Sequence, residues 1–266
     1  MKKSQRLLWV RWPRREDDSI LYKTEGIVLR TRNLGEADKI VTLYTRARGK
    51  IRATARGARR TRNRLLGPTQ VFTYGRYLLF EGNSLDTLSQ GEIINSFQSL
   101  RDDLEKMAAA MYICELVDVL VEIEETNEAL FQLISNTLAM IDTKAIPLAL
   151  RGFELKFMQL LGYEPQLAQC ISCGCQILDE TWFSSHGGIV CNQCRDKVGQ
   201  VTQISKGTLA LANRILKWDW SRLSILRPNP QNLTELETCM RAYIDYRLDQ
   251  PLRSLDFISE LKDFPV

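Results

Sequence analysis

Apolar and polar residues alternate between residues 22 and 94 in short runs, which glycine and asparagine interrupt. Runs of this kind, rich in Val, Ile, Thr, Tyr and Phe, are typical of β-strands. The five runs that we predict to be strands are 26–31, 39–45, 51–56, 71–80 and 85–94. Five short strands suit a small closed barrel of the OB type, although a flat meander would give the same pattern.

Helical spacing replaces this alternation from Leu100 onward, where apolar residues recur three and four positions apart. The predicted helices cover 104–125, 127–141, 147–161, 205–217 and 233–248. Asn127 and Ser205 are suitable N-caps for the second and the fourth of them. Acidic residues share one side of the first helix, and we interpret that side as a solvated face: Glu115, Asp118, Glu122 and Glu125.

The predicted fold class is α+β. A five-stranded OB-type β-barrel at 21–98 is followed by a helical domain at 99–166 and 201–266, which an element at 167–200 interrupts. Residues 1–20 show no clear period, and we expect an extension that is disordered or loosely docked. Its apolar stretch is too short for a signal peptide, and no run of about 18 apolar residues could cross a membrane. We therefore expect a cytoplasmic protein without a membrane partner.

Charge is unevenly distributed along the chain. Residues 1–80 hold 20 of the 36 Lys and Arg residues but 6 of the 32 Asp and Glu residues, a net charge of +14. The remaining residues carry 16 basic and 26 acidic side chains, a net charge of −10. A solvated basic surface without a ligand is one explanation. We favour a basic binding module joined to a second part of the chain with a different role, because the excess of positive charge lies on strand-like sequence.

Four cysteines form the pattern Cys170-x2-Cys173 and Cys191-x2-Cys194, with a predicted hairpin between the pairs. Two such pairs at this separation predict one structural zinc ion held by four thiolates. Gly174 can take the left-handed conformation that such a turn often needs. Cys175 could replace Cys173 as a ligand, but the spacing within the pair would then be less typical.

The other candidate chemistry is weaker. His186, the single histidine, is interpreted as a turn residue, and Cys114 and Cys239 as core residues. A zinc ion closed by four sulfurs has no open position for substrate, and the zinc-deaminase motif is absent from the sequence. There is also no G-x-x-x-x-G-K-[ST] phosphate-binding loop. We therefore expect that the protein is not an enzyme.

The basic module predicts a nucleic-acid surface. On the third strand, Arg52, Thr54 and Arg56 should share one face, opposite Ile51, Ala53 and Ala55, and a flexible basic loop should follow at 56–64. The aromatic residues of the module are favoured as core, with base stacking as the alternative: Tyr44, Phe72, Tyr74 and Tyr77. The candidate contact residues are Arg30, Arg32, Lys39, Arg48, Lys50, Arg52, Arg56, Arg59, Arg60, Arg62 and Arg64.

Several stretches resemble the RecO family of bacterial DNA repair proteins. They are the runs 22–30, 35–43, 49–50 and 55–60 in the barrel region, and 153–155 and 160–165 before Cys170-x2-Cys173-Gly174. The resemblance spans roughly residues 22–250, with the parts in the same order. Residues 1–20 precede the usual start of the family, and Cys175 is an additional cysteine.

The resemblance implies an N-terminal OB-fold, a helical domain, an inserted zinc element and a nucleoid-associated location. It also implies a recombination mediator that binds single- and double-stranded DNA, anneals complementary strands and helps load recombinase. The implied partners are RecR, RecF in some settings, and the acidic C-terminal tail of single-strand binding protein. Arg151 and Lys156 are candidates for contacting that tail, with ordinary helix solvation as the favoured alternative. A zinc-ribbon regulator that binds RNA or a polymerase is the second hypothesis, and only the resemblance separates the two.

Overall fold

The computed structural model describes residues 20–143, 145–177 and 180–255. The prediction of disorder at 1–20 therefore lies outside the described residues, apart from Ile20. The strands of the N-terminal module are β1 (Leu21–Leu34), β2 (Asp38–Thr45), β3 (Gly49–Ala55), β4 (Tyr74–Phe80) and β5 (Asp86–Asn95).

The five strands close into a barrel in the order β1-β2-β3-β5-β4. The long β1 pairs with β4 through its first half and with β2 through its second half. All pairings are antiparallel except that of β3 with β5, which covers Ala53↔Asp86 and Thr54↔Thr87. Alternate residues such as Val41, Leu43 and Leu79 are fully buried inside. The prediction of an OB-type barrel is confirmed, because closure excludes the flat meander.

The helices are α1 (Gln98–Asp102), α2 (Leu104–Leu120), α3 (Glu128–Asp142), α4 (Ile146–Leu160), α5 (Lys206–Lys217), α6 (Trp220–Ile225) and α7 (Pro230–Asp245). The predicted caps are confirmed, since the Asn127 and Ser205 side chains accept the backbone N–H of Leu130 and Thr208. The short α1 and α6 were not predicted, because five or six residues are too few to show a helical period.

The predicted solvated acidic face is wrong. Helix α2 ends at Leu120, so Glu122 and Glu125 lie beyond it. The Glu115 carboxylate accepts the backbone N–H groups of Arg253 and Ser254, at 3.1 and 2.8 Å. The Asp118 carboxylate faces the barrel, where it forms an ion pair with Arg30. Two of the four acids thus join distant parts of the chain rather than facing water.

Barrel and helices are packed together across the β2–β3 turn. The backbone N–H of Glu124 donates to the Lys50 carbonyl at 2.9 Å. Gly49 has φ +61°, and a Cβ there would lie 2.0 Å from the Glu125 carbonyl oxygen, so this position requires glycine. Buried Tyr44 of the barrel belongs to the same apolar core as the helices. This contact fixes one end of the barrel and leaves the other end free.

A small antiparallel sheet forms the third part of the structure. It has the order β7-β6-β8, with β6 (Thr181–Ser184), β7 (Gly188–Cys191) and β8 (Val201–Ile204). The predicted hairpin is confirmed as β6 and β7. The sheet also continues past residue 200 through β8, which was not predicted. Among the described residues, no helix is long and apolar enough to span a membrane.

Candidate metal centre and nucleic-acid surface

The four predicted cysteine ligands lie together in the structure. The sulfurs of Cys170, Cys173, Cys191 and Cys194 are all within 4.8 Å of one another. Each pair closes its own turn: the Gly174 N–H donates to the Cys170 carbonyl, and the Cys194 N–H to the Cys191 carbonyl. Gly174 has φ +72°, the left-handed conformation that its position predicted. The hairpin β6–β7 brings the two turns to one point.

This geometry suits a tetrahedral metal ion. Four sulfurs at about 2.3 Å from a zinc ion lie about 3.8 Å from one another. The Cys173 and Cys191 sulfurs are 3.8 Å apart. Burial acts to raise the pKa of Cys170, but backbone N–H groups, including that of Cys191, donate to its sulfur and lower the pKa to about 6. The cluster could therefore hold a metal ion.

The remaining cysteines and the histidine are not among the four grouped sulfurs. Cys175 is exposed and lies beside them: its side chain interacts with those of Cys173 and Cys191, and its carbonyl accepts the Cys170 N–H at 2.9 Å. Cys114 and Cys239 are buried in the helical core, as predicted. His186 lies in the turn between β6 and β7, where its ring is 4.5 Å from that of Tyr246. The grouping favours Cys173 over Cys175 as the ligand.

Basic residues gather at the end of the barrel that the helices leave free. In the register of β1, β2 and β3, Arg30 lies opposite Thr42, and Thr42 lies opposite Arg52. Arg52 is exposed while Ile51 and Ala53 are buried, so the predicted two-faced pattern of β3 is confirmed. We call Arg32, Lys39, Arg52, Arg56, Arg59, Arg60, Arg62 and Arg64 the basic end.

The loop after β3 is folded into turns. Successive turns are closed by backbone hydrogen bonds, such as those from Arg60 N–H to Gly57 and from Asn63 N–H to Arg60. The loop is also tied to the β1–β2 turn. Arg59 donates through its backbone N–H to Ala37 and through its guanidinium to the Gly35 carbonyl at 2.8 Å. The loop that carries these arginines therefore lies beside the β1–β2 turn.

Three predicted contact residues are not counted in the basic end, because each is paired with another group of the protein: Lys50, Arg30 and Arg48. Lys50 is only 5% exposed, and its Nζ donates to the Asp118 carbonyl at 2.6 Å. This burial contradicts a contact between Lys50 and nucleic acid. Arg30 forms an ion pair with Asp118 at 3.3 Å, and Arg48 one with Glu81 at 2.9 Å. Sequence alone could not distinguish these side chains, because their partners are far along the chain.

Three of the four aromatic residues named as stacking candidates are core residues. Tyr44 and Phe72 are fully buried, and Tyr77 is 1% exposed. The Tyr77 hydroxyl donates to the Pro68 carbonyl at 2.9 Å. Tyr74 is partly buried, with its ring edge-on to Phe131 at 5.7 Å. The favoured core interpretation is confirmed for Tyr44, Phe72 and Tyr77, so none of these three rings is available for base stacking.

The position of Lys50 gives a first testable expectation. Lys50→Met removes a charged hydrogen bond from a buried site and should lower the free energy of unfolding by about 1.5–3 kcal/mol. It should not change affinity for nucleic acid. Chemical unfolding and a binding titration measure the two effects. Lys23→Met, at an exposed position of β1, is the matched control and should change stability by less than about 0.5 kcal/mol. A stable Lys50→Met protein with weakened binding would contradict this assignment.

A second feature, which sequence analysis missed, is a cavity of about 390 Å³ between α2, α4 and α7. Its apolar wall includes Leu104, Ile146 and Leu150, and Arg241 also lines it. No sequence pattern indicates it, because three helices that are distant in sequence form it.

Buried polar groups open into this cavity. Arg151 is 5% exposed, and its Nη2 donates to Glu154 Oε1 at 2.8 Å. Its Nε and Nη1, and Glu154 Oε2, have no hydrogen-bond partner among the described residues. Burial raises the pKa of Glu154 to about 7, against the opposing Arg151 charge. The interpretation of Arg151 as an ordinary solvated helix residue is thus wrong. Lys156 does not line the cavity, and its Nζ donates to the Leu216 carbonyl at 3.4 Å.

Comparison with known proteins shows similarity over most of the chain. Residues 19–97 match the family model described as Recombination protein O N terminal, and residues 101–256 match Recombination protein O C terminal. The DNA repair protein RecO of Symbiobacterium thermophilum is 42% identical over 249 residues, which cover 91% of this chain and 98% of that protein. The DNA repair protein RecO of Pelotomaculum thermopropionicum is 38% identical, over 92% of this chain and 96% of that protein.

Proposed function

The chain belongs to the RecO family of DNA repair proteins, and from this we propose that it is a non-catalytic recombination mediator. It binds single- and double-stranded DNA through the basic end of its barrel and anneals complementary strands without ATP. The observation that carries the proposal is the set of exposed arginines at that end. Arg52, Arg56 and Arg60 have no ion-pair partner among the residues that the structure describes.

Charge explains how such a surface can anneal strands. Two complementary strands repel each other because both carry one negative charge per nucleotide. A cationic surface that neutralises phosphates on both strands lowers this repulsion, and base pairing then drives the reaction without a chemical step. Phosphate contacts carry no sequence information, so the surface suits strands of any sequence.

We propose that the four-cysteine cluster binds one structural zinc ion. Cys170, Cys173, Cys191 and Cys194 would hold it, and four thiolates leave no position for substrate. The small core around the cluster supports this proposal. It has one buried apolar residue besides three of the cysteines, Val190. A metal ion supplies the stability that so small a core lacks.

The proposed partners are RecR, RecF in some settings, and the acidic tail of single-strand binding protein. The cavity between α2, α4 and α7 is the site that we propose for this tail. The apolar wall suits a hydrophobic side chain of the tail. Arg151 Nε and Nη1 have no hydrogen bond among the described residues, and Nη1 lies 3.9 Å from Glu237 Oε2 in an ion pair. Docking there would help load recombinase on DNA that is coated with single-strand binding protein.

A charge on the cavity wall should prevent this docking. Leu104 is 51% exposed, so Leu104→Asp should leave the fold intact while it replaces part of the apolar wall with a charged group that a hydrophobic side chain of the tail cannot pack against. We expect affinity for a fluorescent tail peptide to fall at least tenfold. Val119→Asp is the matched control, because Val119 is 53% exposed on the same helix but does not line the cavity. Equal affinity of both variants for the peptide would place the tail elsewhere.

Competition between single-stranded DNA and RNA of the same sequence tests the function against the regulator hypothesis. The mediator proposal predicts that unlabelled DNA displaces a labelled DNA strand at least as well as RNA does. A strong preference for RNA would favour an RNA-binding regulator instead.

A further inference from the structure

A groove opens at the basic end where β3 and β5 separate. The parallel pairing of these strands ends at Thr54↔Thr87, after which β3 passes into the basic loop and β5 continues alone along that side. The space between loop and strand has a volume of about 800 Å³. Arg56, Asn63 and Arg64 line it from the loop, and Ser89 and Gln90 line it from β5.

Phe80 lies in this groove with an exposed ring. It is the last residue of β4, and strand alternation turns it outward because its neighbour Leu79 is fully buried inside the barrel. The ring is 37% exposed. No aromatic or cation contact with another described residue involves it. A single exposed apolar residue needs no explanation, but Phe80 borders the same groove as Arg56 and Arg64.

The charge of the groove selects the kind of ligand. Two arginines line it, and no acidic residue does. Arg56 and Arg64 are exposed and form no ion pair within the described part of the chain. Positive charge beside an aromatic ring and short polar side chains is the combination that binds single-stranded nucleic acid.

The geometry points to this groove as a single-strand site in which Phe80 stacks on an unpaired base and Arg56 and Arg64 contact flanking phosphates. The inference rests on the proposed DNA-binding function and adds a source of selectivity. Paired bases in a duplex are stacked on one another and cannot stack on Phe80. The basic end therefore binds both forms of DNA, while Phe80 strengthens binding to single strands alone.

Variants of Phe80 test this assignment in the full-length protein. Phe80→Ala and Phe80→Leu should lower affinity for an oligothymidine strand about fivefold or more, because stacking on an aromatic ring contributes about that much per base. Phe80→Tyr retains the ring and should bind like the wild type. Affinity for a duplex and the salt dependence should stay unchanged in all three variants. Ile94→Ala, at an exposed position of β5 outside the groove, is the control for surface disruption.

A strand that contains 2-aminopurine adds a direct readout, since stacking on the ring should quench its fluorescence with the wild type and Phe80→Tyr but not with Phe80→Ala. Unchanged single-strand affinity in Phe80→Ala, in a protein that binds DNA, would overturn this inference and leave the proposed function intact. Equal losses for single strands and duplex would also overturn it. A wild-type protein that binds neither form would overturn the proposed function itself.

Discussion

Replacing Arg52, Arg56, Arg59 and Arg60 together with glutamine should weaken DNA binding by about three orders of magnitude at 0.1 M salt. Each phosphate contact on a single strand contributes about 0.7 to the slope of log affinity against log salt, which is about fivefold in affinity relative to 1 M salt. Four lost contacts should thus reduce the slope by about 3. The loss should be the same for strands of different sequence, because phosphates carry no sequence information.

The control removes four positive charges elsewhere. Arg214, Lys217, Arg222 and Arg227 are exposed on the helical body, and their replacement with glutamine changes the net charge by the same amount. This variant should keep nearly the wild-type affinity and slope. Equal losses in both variants would mean that net charge, rather than the basic end, determines binding. Melting curves of both variants check that the folded barrel is retained.

Loss of one cysteine ligand should release the zinc ion. Cys170→Ser and Cys194→Ser each remove one of four sulfurs, and we expect the zinc content to fall from about one ion per chain to near zero. Structural zinc contributes about 10–16 kcal/mol of apparent binding free energy in small zinc domains, so local folding should be lost with the metal. Metal analysis of reduced protein measures the first effect. Limited proteolysis within residues 167–200 measures the second.

The other cysteines provide the controls for this experiment. Cys175→Ser should retain the ion, because Cys175 lies outside the group of four sulfurs. Cys114→Ser should also retain it, since Cys114 lies in the helical core. If Cys175→Ser loses the zinc ion and Cys173→Ser retains it, the ligand is Cys175 rather than Cys173. Purified wild-type protein with reduced cysteines and no zinc would contradict the metal assignment.

The elements that sequence predicted well are those with local signals. The alternation in β3 places Arg52 outside and Ile51 inside whatever the rest of the chain does. The turn of each cysteine pair is also a local feature, because a backbone hydrogen bond closes it within a few residues. Asn127 and Ser205 cap their helices through bonds to residues three positions later. Such features need no knowledge of distant contacts.

The features that sequence missed depend on contacts between distant residues. Lys50 has the same local surroundings as the exposed arginines, and only its contact with Asp118, 68 positions away, shows that it is buried. The sequence around Arg151 is that of a solvated helix residue, and its ion pair with Glu237 of α7 depends on a contact between distant parts of the chain. Phe80 carried a usable signal, since alternation turns it outward. The groove that Phe80 borders forms only when the loop after β3 folds beside β5, and sequence alone did not show this contact.

Annealing of complementary strands without ATP tests the central claim most directly. A mixture of two labelled strands is followed by energy transfer with the wild type, the basic-end variant and the helical-body variant, all at the same salt concentration. The wild type and the helical-body variant should accelerate annealing to the same extent, and the basic-end variant should give little acceleration over protein-free strands. Annealing that needs ATP, or that proceeds equally fast with the basic-end variant, would contradict a mediator that works by charge at this end of the barrel.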